Sequence, residues 1–496
     1  MTDKTNPEQS FHSNETGSAF NFDRKELNIL DFGAVGDGKK INTPAIQKAI
    51  DACAGKGGGR VIVPKGNFLT GTFILKSKVN LHIEKDGVIL GSPYKKDYPQ
   101  QFLNDPRYKR SPHQSLLYAG RAQDIMISGE GTIDGNAQLN STGDFRDTGN
   151  NAVRPPLLWF DECSNVTIRD IIFKQSLMYT VVCERCRHVH VDHITITENY
   201  FYNADGVDII DCEDFLVENC DINCDDDGIC LKSGSEGGCR SGTVRNNKVR
   251  SLCNAIKMGT ASSGGFRDIL VENNEVWETG ISGIALEIVD GGIMENIMVR
   301  NITMNGVGTP LTIRLGDRNR PPAGSSIVTH GIIRNIYISN IRATVSKAKK
   351  FNEAERNHHD YLPYASSICG IPGSSVDGVT IENIDIVIEG GFPVRTINDA
   401  RREIPEVSNK YPENRMFGVL PAYGFYIWHA RNIRIKDIRF SIRQKDDRSA
   451  MLLDDVYQAD VEAFQVDTLN SSPLISVNQN CRNIQLGRRA EQRNND

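Results

Sequence analysis

The chain repeats one short pattern: Asn or Asp, apolar, any, apolar, any, Asn or Asp, apolar, any, apolar. It reads DIMISGEGTI from Asp124, NVTIRDIIF from Asn165, HVHVDHITI from His188, DFLVENCDI from Asp214 and DILVENNEV from Asp268. It continues as NIMVRNITM from Asn296, NIYISNIRA from Asn335, GVTIENIDI from Gly378, NIRIKDIRF from Asn432 and NIQL from Asn483. Apolar residues alternate with period two, so each copy is two short strands joined by a polar corner. The steps 165→188→214 are 23 and 26 residues, and 268→296 is 28. A repeat in the twenties with strand alternation builds a solenoid.

The residue types fit an all-β, single-stranded right-handed parallel β-helix. Each coil needs short strands, inward Val, Ile or Leu stacked on the same residue one coil away, and Asn at bends that tolerate a left-handed φ. The leucine-rich alternative lacks its LxxLxL spacing. Later steps of 39, 43 and 54 (296→335→378→432) imply long insertions on one side of the coils. In repeat folds such insertions commonly line the binding face. The first eighty residues differ. Thr43 reads as a helix cap with Pro44 at the first position. Ala45, Ile46, Ala49, Ile50 and Cys53 then form an apolar stripe before GKGGG. A helix over the open end of the solenoid covers an edge that would otherwise invite association. The expected division is a polar, unstructured leader at 1–26 and an N-terminal helical cap with the first strands at 27–78. The β-helix runs over 79–487, and a polar tail over 488–496.

With 57 Lys+Arg against 63 Asp+Glu the formal charge is −6, which disfavours a nucleic-acid partner. No apolar run approaches the ~20 residues of a membrane helix. The N-terminus has no apolar core and does not read as a signal peptide. Cys183 and Cys186 form a lone CxxC with no second pair at zinc spacing, so the twelve cysteines read as buried thiols.

Aligning the coils on their inward residues gives a register. Asp205-Gly206-Val207 falls on Asp227-Gly228-Ile229, 22 residues later. Asn254-Ala255-Ile256, Ser282-Gly283-Ile284 and Thr309-Pro310-Leu311 follow at 27, 28 and 27. Val207, Ile229, Ile256, Ile284 and Leu311 are expected to point inward and their neighbours to face solvent. Coils lie about 4.8 Å apart, so Asp205 and Asp227 stack, with Asp226 beside them. Like charges at that spacing repel, and at least one carboxyl should hold its proton more tightly. A solvated corner or a bound cation is the bland explanation. A general acid and a general base for glycoside hydrolysis is the functional one.

FGAVGDG (Phe32 to Gly38), AIQKAID (Ala45 to Asp51), NADG (Asn203 to Gly206) and DDDGICLKSG (Asp225 to Gly234) together resemble glycoside hydrolase family 28, the polygalacturonases and their relatives, within the pectin-lyase-like solenoids. The resemblance implies inverting, single-displacement hydrolysis without cofactor or metal. Asp226 would be the general acid, and Asp205 and Asp227 would activate water. Two departures stand out. The family's Gly-His-Gly falls on Cys253-Asn254-Ala255, and its Arg-Ile-Lys on Ala285-Leu286-Glu287. An acid in place of the lysine would repel a uronate there. Lys257 and Arg314, on coils flanking Glu287, are candidates to restore positive charge or to pair with it. Asn203, Lys232, Asn254 and Asp317 complete the candidate binding residues, with Tyr423 as a candidate platform for a sugar ring.

The expected protein is therefore an inverting glycoside hydrolase acting on a plant (pectic) or algal polysaccharide or its oligosaccharides, and not on plain polygalacturonan. It would be a monomer, with no nucleic-acid or membrane partner. A polymer substrate implies a periplasmic or secreted location, with a cytoplasmic one left open. The rivals are a polysaccharide lyase or epimerase on the same scaffold, and a carbohydrate-binding β-helix without catalysis.

Overall fold

The Asn and Asp residues that open each repeat are its corners. Asp124, Asn165, His188, Asp214, Asp268, Asn296, Asn335, Asn432 and Asn483 all have φ between 53° and 57°. The second Asn or Asp of the pattern is left-handed too, as at Asn219, Asn273, Asn301, Asn340 and Asn383 (φ 54° to 56°). Asn pays little for this conformation. Its side chain also bonds along the stack: Asn301 Nδ2 donates to Asn273, Asn340 to Asn301 and Asn383 to Asn340, at 3.0, 2.9 and 2.6 Å. The corner therefore turns the chain and ties each coil to the last.

The structure, a computed structural model, describes residues 20–99, 115–137, 154–347, 364–391, 403–467, 474–487 and 491–493. They fall into two compact units, Met1–Leu231 with Cys239–Val249 and Asn352–Arg356, and Lys232–Gly238 with Arg250–Phe351 and Asn357–Asp496.

In the first unit each coil gives one strand to each of three parallel stacks. Leu158 pairs with Leu117 and Val181, and Val181 with Val207. Val166 pairs with Ile125 and Val189, and Val189 with Phe215. Phe173 pairs with Ile133 and Ile196. The inward residues are buried throughout. The helix Thr43–Gly55 buries the stripe Ala45, Ile46, Ala49, Ile50 and Cys53. Its cap differs from expectation. Asn42 holds the N-cap position and makes no capping bond, because its Oδ1 accepts from Val35 N–H and its Nδ2 donates to Val35 and Lys40 carbonyls. Thr43 Oγ1 instead takes the Gly71 N–H at 2.8 Å. Of the expected leader, residues 1–19 lie outside the described residues, while Phe22–Arg24 form a 3₁₀ turn with Phe22 buried. Of the expected tail, 488–490 and 494–496 lie outside them.

In the second unit Ile256, Ile284 and Leu311 are register partners, as expected. The strands then lengthen, to Ile332–Val345, Val376–Gly390 and Ala422–Gln444. Ile297 pairs with Ile336, Ile336 with Val379 and Val379 with Ile433, which reproduces the widening steps.

The expectation that alternate residues face solvent fails here. Lys257, Ala285, Glu287, Thr312 and Arg314 are all buried. The inserted segment after residue 403 covers Lys257 and Arg314. The Arg314 guanidinium donates to the carbonyls of Gly370 and Glu406 at 2.8 and 3.0 Å and stacks over Phe417. Phe417, Leu420, Tyr426 and Trp428 form a buried cluster.

Candidate active site

In the first unit, two loops ending in Asp-Gly lead into stacked strands. Gly206 N–H donates to the Asp227 carbonyl and Val207 N–H to that of Gly228, each at 2.9 Å. Glycine is required at 206, since a Cβ there would lie 2.4 Å from the Gly228 oxygen. This close approach stacks Asp205 on Asp227. A carboxylate oxygen of each and the Cys230 thiol lie within 4.8 Å of one another.

Asp205, Asp225 and Asp227 are buried, and Asp226 is the half-buried member of the cluster. Asp226 Oδ2 accepts the Asn203 N–H at 3.2 Å and its Nδ2 at 3.5 Å, and Oδ1 accepts the Asp227 N–H at 3.0 Å. Both carboxylate oxygens thus accept hydrogen bonds, in a residue that is only half-buried. Asn203 supplies two of them from a left-handed turn, φ 59°. The buried Cys224 thiol senses the cluster. Burial first, and then the charges of Asp205, Asp226, Asp227 and Asp225, push it well above the usual thiol range. The donor set Asp205, Asp227 and Cys230 has the spacing to hold a cation, mixing hard oxygen with soft sulfur. The set His190, Asp192 and Glu218 is engaged internally, with Arg245 on Glu218 at 2.8 Å and Asn219 on Asp192 at 2.9 Å.

In the second unit, the Lys257 ammonium lies 3.9 Å from Glu287 and 3.3 Å from the hydroxyl of Tyr411, an exposed residue. Glu287 and Arg314 are register partners, yet the guanidinium spends its donors on loop carbonyls. Asn254 is buried and its Oδ1 accepts the Ser282 N–H at 3.2 Å. Tyr423 is buried at the edge of the core, and Lys232 and Asp317 are half-buried. Asp317 accepts from Asn319.

The structure therefore groups Asn203, Asp205, Asp226 and Asp227 in the first unit, and Lys257 with Glu287 in the second. Two contributors escape a reading of the sequence. Arg154, whose guanidinium donates to Asn203 Oδ1 at 3.4 Å, lies far from that turn in the chain, and Tyr411 lies in an insertion without periodicity. Neither position carries a pattern that could have marked it.

Stacked parallel coils with an acidic corner define a parallel β-helix that carries a cluster of carboxylates. The family model of glycosyl hydrolases family 28 matches residues 53–359. The chain belongs to that family. It is 30% identical over 312 residues to a probable polygalacturonase of Vitis vinifera, covering 58% of this chain and 62% of that protein. It is 27% identical over 355 residues to an exo-poly-alpha-D-galacturonosidase of Dickeya chrysanthemi, covering 60% of this chain and 58% of that protein. The chain thus spans about three-fifths of the length of these curated relatives. Among solved structures, a hyperthermoactive exopolygalacturonase of Thermotoga maritima superposes with a TM-score of 0.60 at 24% identity, over 75% of this chain and 89% of that one. The likeness carries the fold, a right-handed parallel β-helix, as the repeat implied. Among the described residues no helix is long and apolar enough to cross a membrane.

Proposed function

We propose that the protein hydrolyses glycosidic bonds of a pectic polysaccharide or its oligosaccharides by single displacement. Asp226 protonates the leaving oxygen, and Asp205 with Asp227 holds and deprotonates the attacking water. The observation that carries this reading is a difference among the carboxylates: Asp226 is half-buried and held by the Asn203 and Asp227 donors, while the buried Asp205 and Asp227 converge within 4.8 Å of each other. Two carboxylates that close share one water well, and an accessible third is suited to meet the glycosidic oxygen. The names of the relatives support a pectic substrate.

The sugar bound is not plain galacturonate. Glu287 stands where the resemblance puts the family's lysine, and Lys257 is turned toward it. A polymer substrate places the enzyme in the periplasm or outside the cell.

The test is a screen of purified protein on pectic, rhamnogalacturonan and algal glycans, reading new reducing ends and ultraviolet absorbance together. Reducing ends without absorbance are expected. An absorbing unsaturated end identifies a lyase, and no product on any glycan sinks catalysis altogether.

A further inference from the structure

We propose that Arg154 is a positioning residue for the general acid, holding Asp226 in place through Asn203. The inference rests on the assignment of Asp226 as that acid. Arg154 is 3% exposed, and its guanidinium binds acceptors on two segments of the chain. Nη1 donates to the carbonyls of Leu177, at 2.8 Å, and Tyr202, and Nη2 donates to Asn203 Oδ1 at 3.4 Å. An Asn amide has an accepting end and a donating end, and nothing in the residue itself decides which way it points. With Oδ1 turned to the guanidinium, Nδ2 is left facing Asp226 Oδ2, 3.5 Å away and alongside the Asn203 N–H.

The strap also fixes the turn itself. Ala204 N–H closes it on the Phe201 carbonyl at 3.1 Å, and Asn203 is left-handed at φ 59°. Leu177 belongs to the previous coil, so Arg154 ties the Asn203 turn, which holds the acid, to a neighbouring rung. The task calls for arginine. A planar fork with permanent charge reaches three acceptors at once, whereas an ammonium offers one point.

Because the strap acts on the acid, its loss should matter only as far as the leaving group needs a proton. Arg154→Ala is therefore compared with wild type on two substrates: the pectic oligosaccharide the wild type turns over fastest, and the glycosyl fluoride of the same sugar and anomer. Fluoride departs with little protonic assistance. A misplaced general acid should lower kcat on the oligosaccharide by about 10–100-fold, a fraction of what the acid itself contributes, and leave the fluoride within about threefold. Equal losses on both substrates, or no loss on the oligosaccharide, would overturn the proposal. Should Arg154→Ala not fold, as judged by thermal unfolding, Arg154→Lys is read by the same two rates, since it keeps the charge and loses the fork. Asp226→Asn is run in parallel. If it keeps oligosaccharide turnover, the acid assignment fails and the strap with it. If it loses turnover while the Arg154 variants show no split, the strap alone fails.

Discussion

The ammonium of Lys257 lies 3.9 Å from the carboxylate of Glu287, with the two side chains 2% and 1% exposed. Lys257 is the register partner of Ala285, so the lysine reaches diagonally along the sheet to the acid two residues further on. Tyr411 closes over the lysine. Two buried opposite charges are tolerated because each compensates the other, and removing one strands its partner in a poor solvent. Lys257→Met and Glu287→Gln should each destabilise the fold by about 3–5 kcal/mol. The double variant should recover much of that loss. Thermal melting of the three variants measures it, and additive losses would show that the two groups do not depend on each other.

The same pairing bears on specificity. A cation committed to Glu287 is a poor clamp for a uronate, and Arg314 is committed to the Gly370 and Glu406 carbonyls. A charge-assisted hydrogen bond to a substrate carboxylate contributes about 1.5–3 kcal/mol, and neither Lys257 nor Arg314 is disposed to make it. Turnover of plain oligogalacturonate should fall at least tenfold below that of pectic oligosaccharides ending in a neutral sugar. Rates on matched oligosaccharides decide it. Preference for plain oligogalacturonate, abolished by Lys257→Ala, would mean that the lysine leaves Glu287 to bind substrate.

Removing either member of the acid–base set should stop the reaction without unfolding the protein. General acid or base catalysis contributes about 10²–10⁴-fold. Asp226→Asn and Asp227→Asn should each lose at least the lower figure. An amide oxygen at 226 can keep one of the two N–H bonds, from Asn203 or from Asp227, and the backbone bonds of Gly206 and Val207 to the Asp227 and Gly228 carbonyls do not involve that side chain, so the loop should keep its form. Initial rates and circular dichroism of both variants test this, and near-wild-type turnover in either is incompatible with the roles given.

The coils were legible because few residues can occupy their corners. A left-handed turn recurring every twenty-odd residues selects Asn and Asp, and strand alternation selects the residues between, so Asn165, Asp214 and Asn296 announce the fold. The aspartates were legible for a related reason: stacking turns a spacing of 22 residues into a contact. What stayed hidden arrives from off the register. Arg154 meets Asn203 across 49 positions and Tyr411 meets Lys257 across 154, through segments without a repeat. Burial of Lys257 and Arg314 was hidden too, because strand alternation assigns a residue to a face and says nothing about what covers that face.

Eleven of the twelve cysteines are buried thiols, and Cys481 is partly exposed. Several stand in a ladder: Cys163 N–H points to the Cys186 sulfur at 3.4 Å and Cys186 N–H to the Cys212 sulfur at 3.3 Å. Burial pushes Cys212 up to about 11, and Cys220 and Cys369 up to about 12. The native protein should expose no more than one fast-reacting thiol to Ellman's reagent and all twelve after denaturation. The pH dependence follows from the same shifts. Unfolded thiols ionise near 8.5, whereas the folded ones keep their protons to higher pH. Their contribution to stability is therefore complete below about pH 8.5 and is lost as pH rises toward 11 and 12. Melting temperature measured from pH 7 to 11 should fall steadily above about pH 9. Rapid modification of several native thiols would contradict both expectations.

The stereochemical outcome is the sharpest test of the aspartate roles. Carboxyl groups about 5–5.5 Å apart are the mark of retaining glycosidases, and wider pairs of inverting ones. The Asp205 and Asp227 oxygens, within 4.8 Å, would by that measure indicate retention. The rule, however, compares the acid with the nucleophile or base on opposite sides of the scissile bond. Asp205 and Asp227 are both buried, stacked by the strands they precede and directed at one point, so neither is disposed to protonate a leaving group on the other side of a sugar. They suit a single shared water. In the reading proposed above, Asp226, the half-buried member of the cluster, is the acid. A water activated on one side and a proton delivered on the other give inversion in one step, with no glycosyl-enzyme intermediate. Proton NMR of the first-formed product should show the anomer opposite to that of the cleaved bond, before mutarotation. Retention would require one of the buried aspartates to attack carbon directly, and the assignment of the pair as water-holding bases would then be wrong.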